Sequence, residues 1–207
     1  LNLTFDFLDR RPIIIALAGS NGAGKSTFYE SYLGDSGLRF INADELSASL
    51  GMPPYDAAEL AASLRRELVS QRESFIFETV LSDPVGEKVD QLASYAALGY
   101  TVVLIFIHIE SSDESIKRVT MRACQGGHDV PDEKLRARFA RTQANLQRAI
   151  QRLPYVIVYS NDDLNKPYQF VAHYENGQKV DREEVRQFID SSKRSDGDRN
   201  SFRAPSQ

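Results

Sequence analysis

Residues 19–27 read Gly-Ser-Asn-Gly-Ala-Gly-Lys-Ser-Thr and fit the pattern G-x-x-x-x-G-K-[ST], whose residue types suit it to hold a polyphosphate. Gly22 and Gly24 let the backbone curl, so that successive N–H groups from Ser20 through Asn21 and Ala23 point at phosphate oxygens. A helix beginning at Lys25 adds the positive end of its dipole. Lys25 can neutralise the β and γ phosphates. Ser26, followed by Thr27, can offer a hydroxyl to Mg²⁺, a cation that takes oxygen ligands and keeps several waters on a triphosphate. The motif calls for a nucleoside triphosphate, but by itself it does not choose between a kinase, a GTPase, a motor and a transporter ATPase.

Two further stretches carry polar residues directly after short apolar runs: Asn42-Ala43-Asp44-Glu45, and Glu78-Thr79-Val80-Leu81-Ser82-Asp83 after Phe75-Ile76-Phe77. In open α/β sheets ligands bind beyond the carboxyl ends of the strands, so these residues are placed to face the phosphates. Asp44 is the candidate general base, able to orient an acceptor hydroxyl and take its proton; its other reading is a cap for the helix through Leu46 and Leu50. Glu78 can hold Mg²⁺ through water or bind a substrate hydroxyl; otherwise it pairs with a nearby base. Asn42, Thr79 and Ser82 suit recognition of a polyhydroxyl substrate.

Arginines concentrate between Arg118 and Arg152. Arg118 and Arg122 are four apart and share a helix face, and Gly126-Gly127-His128-Asp129-Val130-Pro131 follows. Arginines before a glycine pair can form a mobile lid that carries positive charge to the transferred phosphate and excludes water, the other reading being a solvated basic helix. Arg138 and Arg141 share a face of the next helix and can reach the same pocket. His128 has no partner histidine at metal-ligand spacing, so zinc is not expected. The single cysteine, Cys124, excludes an internal disulfide and a thiolate cluster.

The elements that must position these groups are legible from apolar patterning. Short continuous runs at 13–18, 38–41, 75–77, 101–109 and 156–159 read as buried strands. Helical spacing links Ala57, Leu60, Ala61, Leu64 and Leu68 behind Pro53-Pro54, and Val85, Val89, Leu92 and Ala96 behind Pro84 with a stop at Gly99. A longer helix over 131–153 presents Leu135, Phe139, Leu146 and Ile150. The alternation predicts a three-layer α/β/α sandwich on a mainly parallel five-stranded sheet. Beyond it, 168–174 and 178–180 flank Glu175-Asn176-Gly177, a hairpin signal, and Asp181 with Glu184 resembles a helix cap. One domain over 1–190 is expected, with its core at 12–160, the hairpin and closing helix at 165–190, and a polar tail without fixed structure at 191–207.

Of the 207 residues, 42% are hydrophobic and 26% charged, which supplies a full core. The net charge of −4 argues against broad nucleic-acid binding. With neither an 18-residue apolar run nor a signal-like start, the expectation is a cytoplasmic protein with no membrane partner.

Taken in order, residues 19–27, Asn42-Ala43-Asp44-Glu45, Phe77-Glu78-Thr79, and Arg118 with Arg122 and the segment 126–131 resemble the zeta-toxin-like P-loop kinases over roughly residues 12–159. The resemblance implies a P-loop kinase fold, ATP and Mg²⁺ as cofactors, and phosphorylation of a hydroxyl of UDP-N-acetylglucosamine or a related nucleotide sugar. It also implies a protein antitoxin as partner. It makes Lys25 the phosphate-binding lysine, Asp44 the base, Glu78 the acidic residue after the third strand and Arg118 a lid arginine; Arg122, Arg138 or Arg141 supplies the second. The stretch Glu-Thr-Val-Leu-Ser departs from the Glu-Gly-Thr of the best-known members. Two other readings stay open: a kinase of a different small metabolite, and a nucleotide-gated interaction module with slow ATP hydrolysis. Glu110, standing after 101–109 where motors and transporters place an aspartate, weakens the motor and transporter forms of the latter.

Overall fold

Every residue of the first strand, β1 (Ile13–Gly19), is buried, because both faces of the sheet are covered at its centre. Ile14, Ala16 and Ala18 pack on one face with Phe75, Phe77, Leu104 and Phe106, whereas Ile13, Ile15 and Leu17 pack on the other with Phe28, Leu33, Val103 and Ile105. The computed structural model describes residues 5–124 and 130–180. In these, β1 leads into α1 (Lys25–Phe28), prolonged by a π-helical turn at Tyr29–Leu33. There follow β2 (Arg39–Ile41), α2 (Ala43–Leu50), α3 (Pro54–Ser70), β3 (Phe75–Thr79), α4 (Glu87–Ala97) and β4 (Thr101–His108). The chain continues through α5 (Ser112–Cys124), α6 (Asp132–Arg152), β5 (Tyr155–Ser160), β6 (Gln169–Glu175) and β7 (Gln178–Lys179).

The sheet runs β2-β3-β1-β4-β5-β6-β7, and the first five strands in that order are parallel. The fold is thus the expected α/β arrangement, with one correction: the sheet has seven strands, not five. The hairpin expected at the sheet edge adds its two strands to the sheet. β6 pairs antiparallel with β5, and β7 with β6. The reason is hydrogen bonding, since β5 would otherwise present a row of unpaired N–H and C=O groups. The turn between them has Asn176 and Gly177 at φ 50° and 82°, the left-handed pair that matches hairpin twist.

Two of the three helix starts read from proline hold: Pro54 opens α3, and Pro131 immediately precedes α6. The third does not, because Gly86 at φ 81° precedes α4, which begins at Glu87 and leaves Val85 outside the helix and exposed. Ala61, Leu68, Val89, Leu92, Leu146 and Ala149 bring α3, α4 and α6 onto one face of the sheet, and Phe28 and Leu33 bring α1 onto the other. An N-terminal turn at Asp6–Asp9, which the sequence pattern did not show, buries Phe7 and Leu8 on that second face. The lid residues Gly126, Gly127, His128 and Asp129, the expected closing helix from Asp181 to Ile189 and the tail at 191–207 lie outside the described residues. Among the described residues no helix is long and apolar enough to cross a membrane.

Candidate active site

The P-loop leaves β1 at the centre of the sheet and curls between α5 and the segment after β5. Gly24 has φ 90°, and a Cβ there would stand 2.7 Å from Asn161 Nδ2 and 2.8 Å from Tyr168 Oη. Gly22 has φ 74°, with a Cβ position 3.0 Å from Cβ of Arg118. Only glycine fits both the dihedrals and the space. Ser115 Oγ donates to the Asn21 carbonyl at 2.7 Å, which fastens α5 to the loop. Ser20 Oγ and Asn21 Oδ1 are buried with no partner among the described residues. Such orphaned acceptors and donors beside a glycine cradle fit a polar ligand.

Lys25, at the first position of α1, is 6% exposed. Its Nζ donates to the Ser20 carbonyl at 3.1 Å and lies 3.6 Å from Glu78 Oε1. Burial pushes the Lys25 ammonium below its ordinary value; the Glu78 and Asp44 carboxylates oppose this, and Arg122 reinforces it. Glu78, the penultimate residue of β3, also accepts Ser26 Oγ at 3.0 Å and Asn42 Nδ2 at 3.2 Å through Oε2. One carboxylate thereby joins the ends of β2 and β3 to the phosphate loop. Among the described residues no group of three or more His, Cys, Asp or Glu is arranged as a metal cluster. A hydroxyl and one carboxylate nevertheless suffice for Mg²⁺ bound with a triphosphate.

The capping role considered for Asp44 belongs to Asn42, whose Oδ1 accepts the Asp44 N–H at 2.9 Å at the start of α2. That leaves the Asp44 carboxylate exposed in the first turn, close enough to act on Lys25. Glu45 beside it is held above the usual carboxylate range by burial and by the negative charges of Glu78, Glu30 and Asp44. Asn42 is buried, its amide divided between α2 and Glu78, so its contacts are structural in this arrangement. It also lines a cleft of about 220 Å³ with Phe40, Ile41, Glu45, Leu46 and Leu64.

Arg118 donates from Nε to Glu114 Oε1 at 2.7 Å and from Nη2 to the Asp162 carbonyl at 3.3 Å, which holds it over Gly22. Arg122, one turn on, is exposed and acts on Lys25. Arg138 is not brought to the phosphate loop in the same way; it is half-buried and acts on Lys88. Thr79 Oγ1 accepts Lys88 Nζ and the Leu81 N–H, both at 3.1 Å. Ser82 lies half-buried in the connection to α4. That connection carries Leu81 at φ 57°, a left-handed conformation held by Thr142 and Asn145 of α6, which donate to the Val80 and Leu81 carbonyls at 2.9 Å.

Two residues of this site escaped the sequence pattern. Asn161 Nδ2 donates to the Ala23 carbonyl at 2.8 Å, and Tyr168 Oη to the Gly24 carbonyl at 2.9 Å. Asn161 follows β5 directly, so the strand-end rule applied to β2 and β3 would have found it. Tyr168, at φ 56° and with Tyr32 against its ring, had no local signal.

A glycine cradle, a buried lysine and a hydroxyl at the head of α1, set at the carboxyl edge of a parallel sheet, define a P-loop nucleotide-binding fold of the kinase type. The profile of the zeta toxin family matches residues 41–171, well over half of the chain, and the chain belongs to that family. Among solved structures it is similar to the AvrRxo1-ORF1:AvrRxo1-ORF2 complex with sulphate ions (TM-score 0.66, 19% identity, covering 87% of this chain and 64% of that one). It is also similar to the PezAT toxin-antitoxin system of Streptococcus pneumoniae (0.56, 16%, 91% and 86%). A third likeness is to a putative kinase from Chloroflexus aurantiacus J-10-fl (0.54, 15%, 89% and 98%). At these identities the likeness is one of fold, and the chain spans only 64% of the first of them. No curated protein matches in sequence.

Proposed function

We propose that the protein is an ATP-dependent small-molecule kinase that phosphorylates a hydroxyl of UDP-N-acetylglucosamine or a related nucleotide sugar. The observation that carries the kinase reading is the junction at Glu78, which binds Ser26 and Asn42 and lies beside Lys25. It brings the nucleotide loop and the strand ends that face an acceptor into one polar centre. Family membership supports the nucleotide sugar as acceptor.

In this reading Lys25 and the arginines Arg118 and Arg122 carry positive charge for the triphosphate, and Asp44 orients the acceptor hydroxyl. The new bond forms between the acceptor oxygen and the γ phosphorus, the bond from that phosphorus to the β–γ bridging oxygen breaks, ADP leaves, and the hydroxyl proton passes to Asp44. Ser26 and Glu78 would hold Mg²⁺, which supplies charge neutralisation on the phosphates. Thr79, Ser82 and Arg138 would bind the acceptor. A protein antitoxin that covers the nucleotide loop is the proposed partner.

Mass spectrometry of a panel of nucleotide sugars, nucleosides and amino sugars incubated with the protein and ATP tests the assignment. Addition of one phosphate to UDP-N-acetylglucosamine is expected. Phosphorylation of another class alone would reassign the substrate, and nucleotide-dependent partner binding without any acceptor would replace the kinase reading.

A further inference from the structure

Three cationic side chains lie on the helices around the carboxyl end of β3. Lys88 is half-buried in the first turn of α4, and its Nζ donates to Thr79 Oγ1 at 3.1 Å. Arg65, half-buried on α3, has its guanidinium carbon 4.8 Å from the centre of the Phe77 ring. Arg138 comes from α6, one turn before Thr142, whose Oγ1 donates to the Val80 carbonyl just past β3 at 2.9 Å. Among the described residues none of the three takes part in a salt bridge.

The arrangement is costly for a protein that only needs to fold. Burial first, then Arg65, push the Lys88 ammonium below its ordinary value; Arg138 adds to this, and Asp83 and Glu87 oppose it. A cation in the first turn of a helix also meets the positive end of the dipole. The nearby Asp83 is already committed, with Oδ1 accepting the Glu87 N–H at 2.5 Å and Oδ2 accepting Asn145 Nδ2 at 3.4 Å. Glu87 is exposed.

We propose that Lys88, Arg65 and Arg138, with the Thr79 hydroxyl, form an anion subsite that binds a phosphate or diphosphate group carried by the acceptor. Glu78 and Thr79 are consecutive at the end of β3, so their side chains leave opposite faces of the sheet at its rim. Glu78 meets the nucleotide loop on the α1 side, whereas Thr79 meets Lys88 of α4. Donor phosphates and acceptor anion are thereby held on two sides of one strand end, with the transfer centre between them. Even with Asp83 and Glu87 counted against them, the three cations leave an excess of positive charge, which suits a phosphate or diphosphate group. The inference rests on the kinase reading and deepens it, because it makes an anionic group part of what the acceptor must carry.

The test is a titration of inorganic pyrophosphate into the whole chain with its nucleotide loop saturated by a non-hydrolysable ATP analogue, followed by calorimetry. One additional pyrophosphate is expected to bind, about tenfold or more weakly in Lys88→Met and in Arg65→Met, with Lys88→Arg recovering most of the loss. Analogue binding by each variant shows that it is folded. Absence of the second site, or a site indifferent to both methionine substitutions, overturns the proposal. The same variants assayed with UDP-N-acetylglucosamine should raise its KM while leaving kcat and the KM for ATP near wild type. If that sugar is not phosphorylated the substrate assignment fails, and the pyrophosphate titration still decides the subsite.

Discussion

Ser26 Oγ donates to Glu78 Oε2 at 3.0 Å, a bond that ties the first turn of α1 to the end of β3. The other oxygen of the same carboxylate lies 3.6 Å from Lys25, so Glu78 answers both Lys25 and Ser26 at the head of α1. Glu78→Gln keeps the size and the acceptor oxygen but removes the charge. Phosphate transfer should fall by about 10²-fold or more, with a raised Mg²⁺ requirement, while affinity for ATP measured without Mg²⁺ stays within a few-fold. Steady-state rates across a Mg²⁺ series check this, and an unchanged Mg²⁺ dependence would remove Glu78 from the metal site.

Tyr168 and Asn161 grip the loop from the opposite side through the Gly24 and Ala23 carbonyls. Tyr168→Phe removes one of two donors to the Gly24 carbonyl, which keeps the Phe28 N–H at 2.9 Å, so the loss is that of one hydrogen bond, about 1 kcal/mol. The loss should appear as weaker ATP binding with an unaltered acceptor KM. A uniform fall in stability with normal ATP binding would make the contact purely structural.

Much of this architecture could be read from the chain because it depends on local pattern. The parallel core follows from runs such as Ile13 to Ala18, whose apolar continuity requires two covered faces, and the loop follows from glycine spacing. The hairpin was also visible in Asn176-Gly177, but its docking onto β5 was not, since nothing within the hairpin records which free edge it completes. Asp44 and Glu78 were legible as strand-end carboxylates. The division of labour by which Asn42 caps α2 and frees Asp44 was not, because Asn and Asp are nearly equivalent as caps. Tyr168 acts on Gly24 from 144 residues away, and Lys88 folds back over the connection after β3 to Thr79, so only packing brings them to the site.

Lys25 gives a pH signature whose sign is fixed. Burial lowers its folded-state value below 10.5, whereas a bound triphosphate favours the charged form and raises it. Between the two values nucleotide binding must take up a proton, so ATP affinity should decline as the pH rises through the free-protein value. In the nucleotide-free protein the same lowering disfavours folding at neutral pH, and that penalty fades as the pH climbs toward 10.5. Calorimetry of ATP binding in alkaline buffers of different ionisation heat measures the uptake directly. No uptake anywhere below 10.5 would contradict the assigned environment.

Asp44 concentrates the central claim, since its carboxylate is exposed beside Lys25 and is not spent on capping. The most direct measurement is transfer of labelled γ-phosphate from ATP to UDP-N-acetylglucosamine by the wild type and by Asp44→Asn, with ATP affinity measured in parallel. The expected result is transfer by the wild type, a loss of about 10²-fold or more in Asp44→Asn, and ATP affinity within a few-fold of wild type. Full turnover in Asp44→Asn, or no labelled acceptor from the wild type, would contradict it.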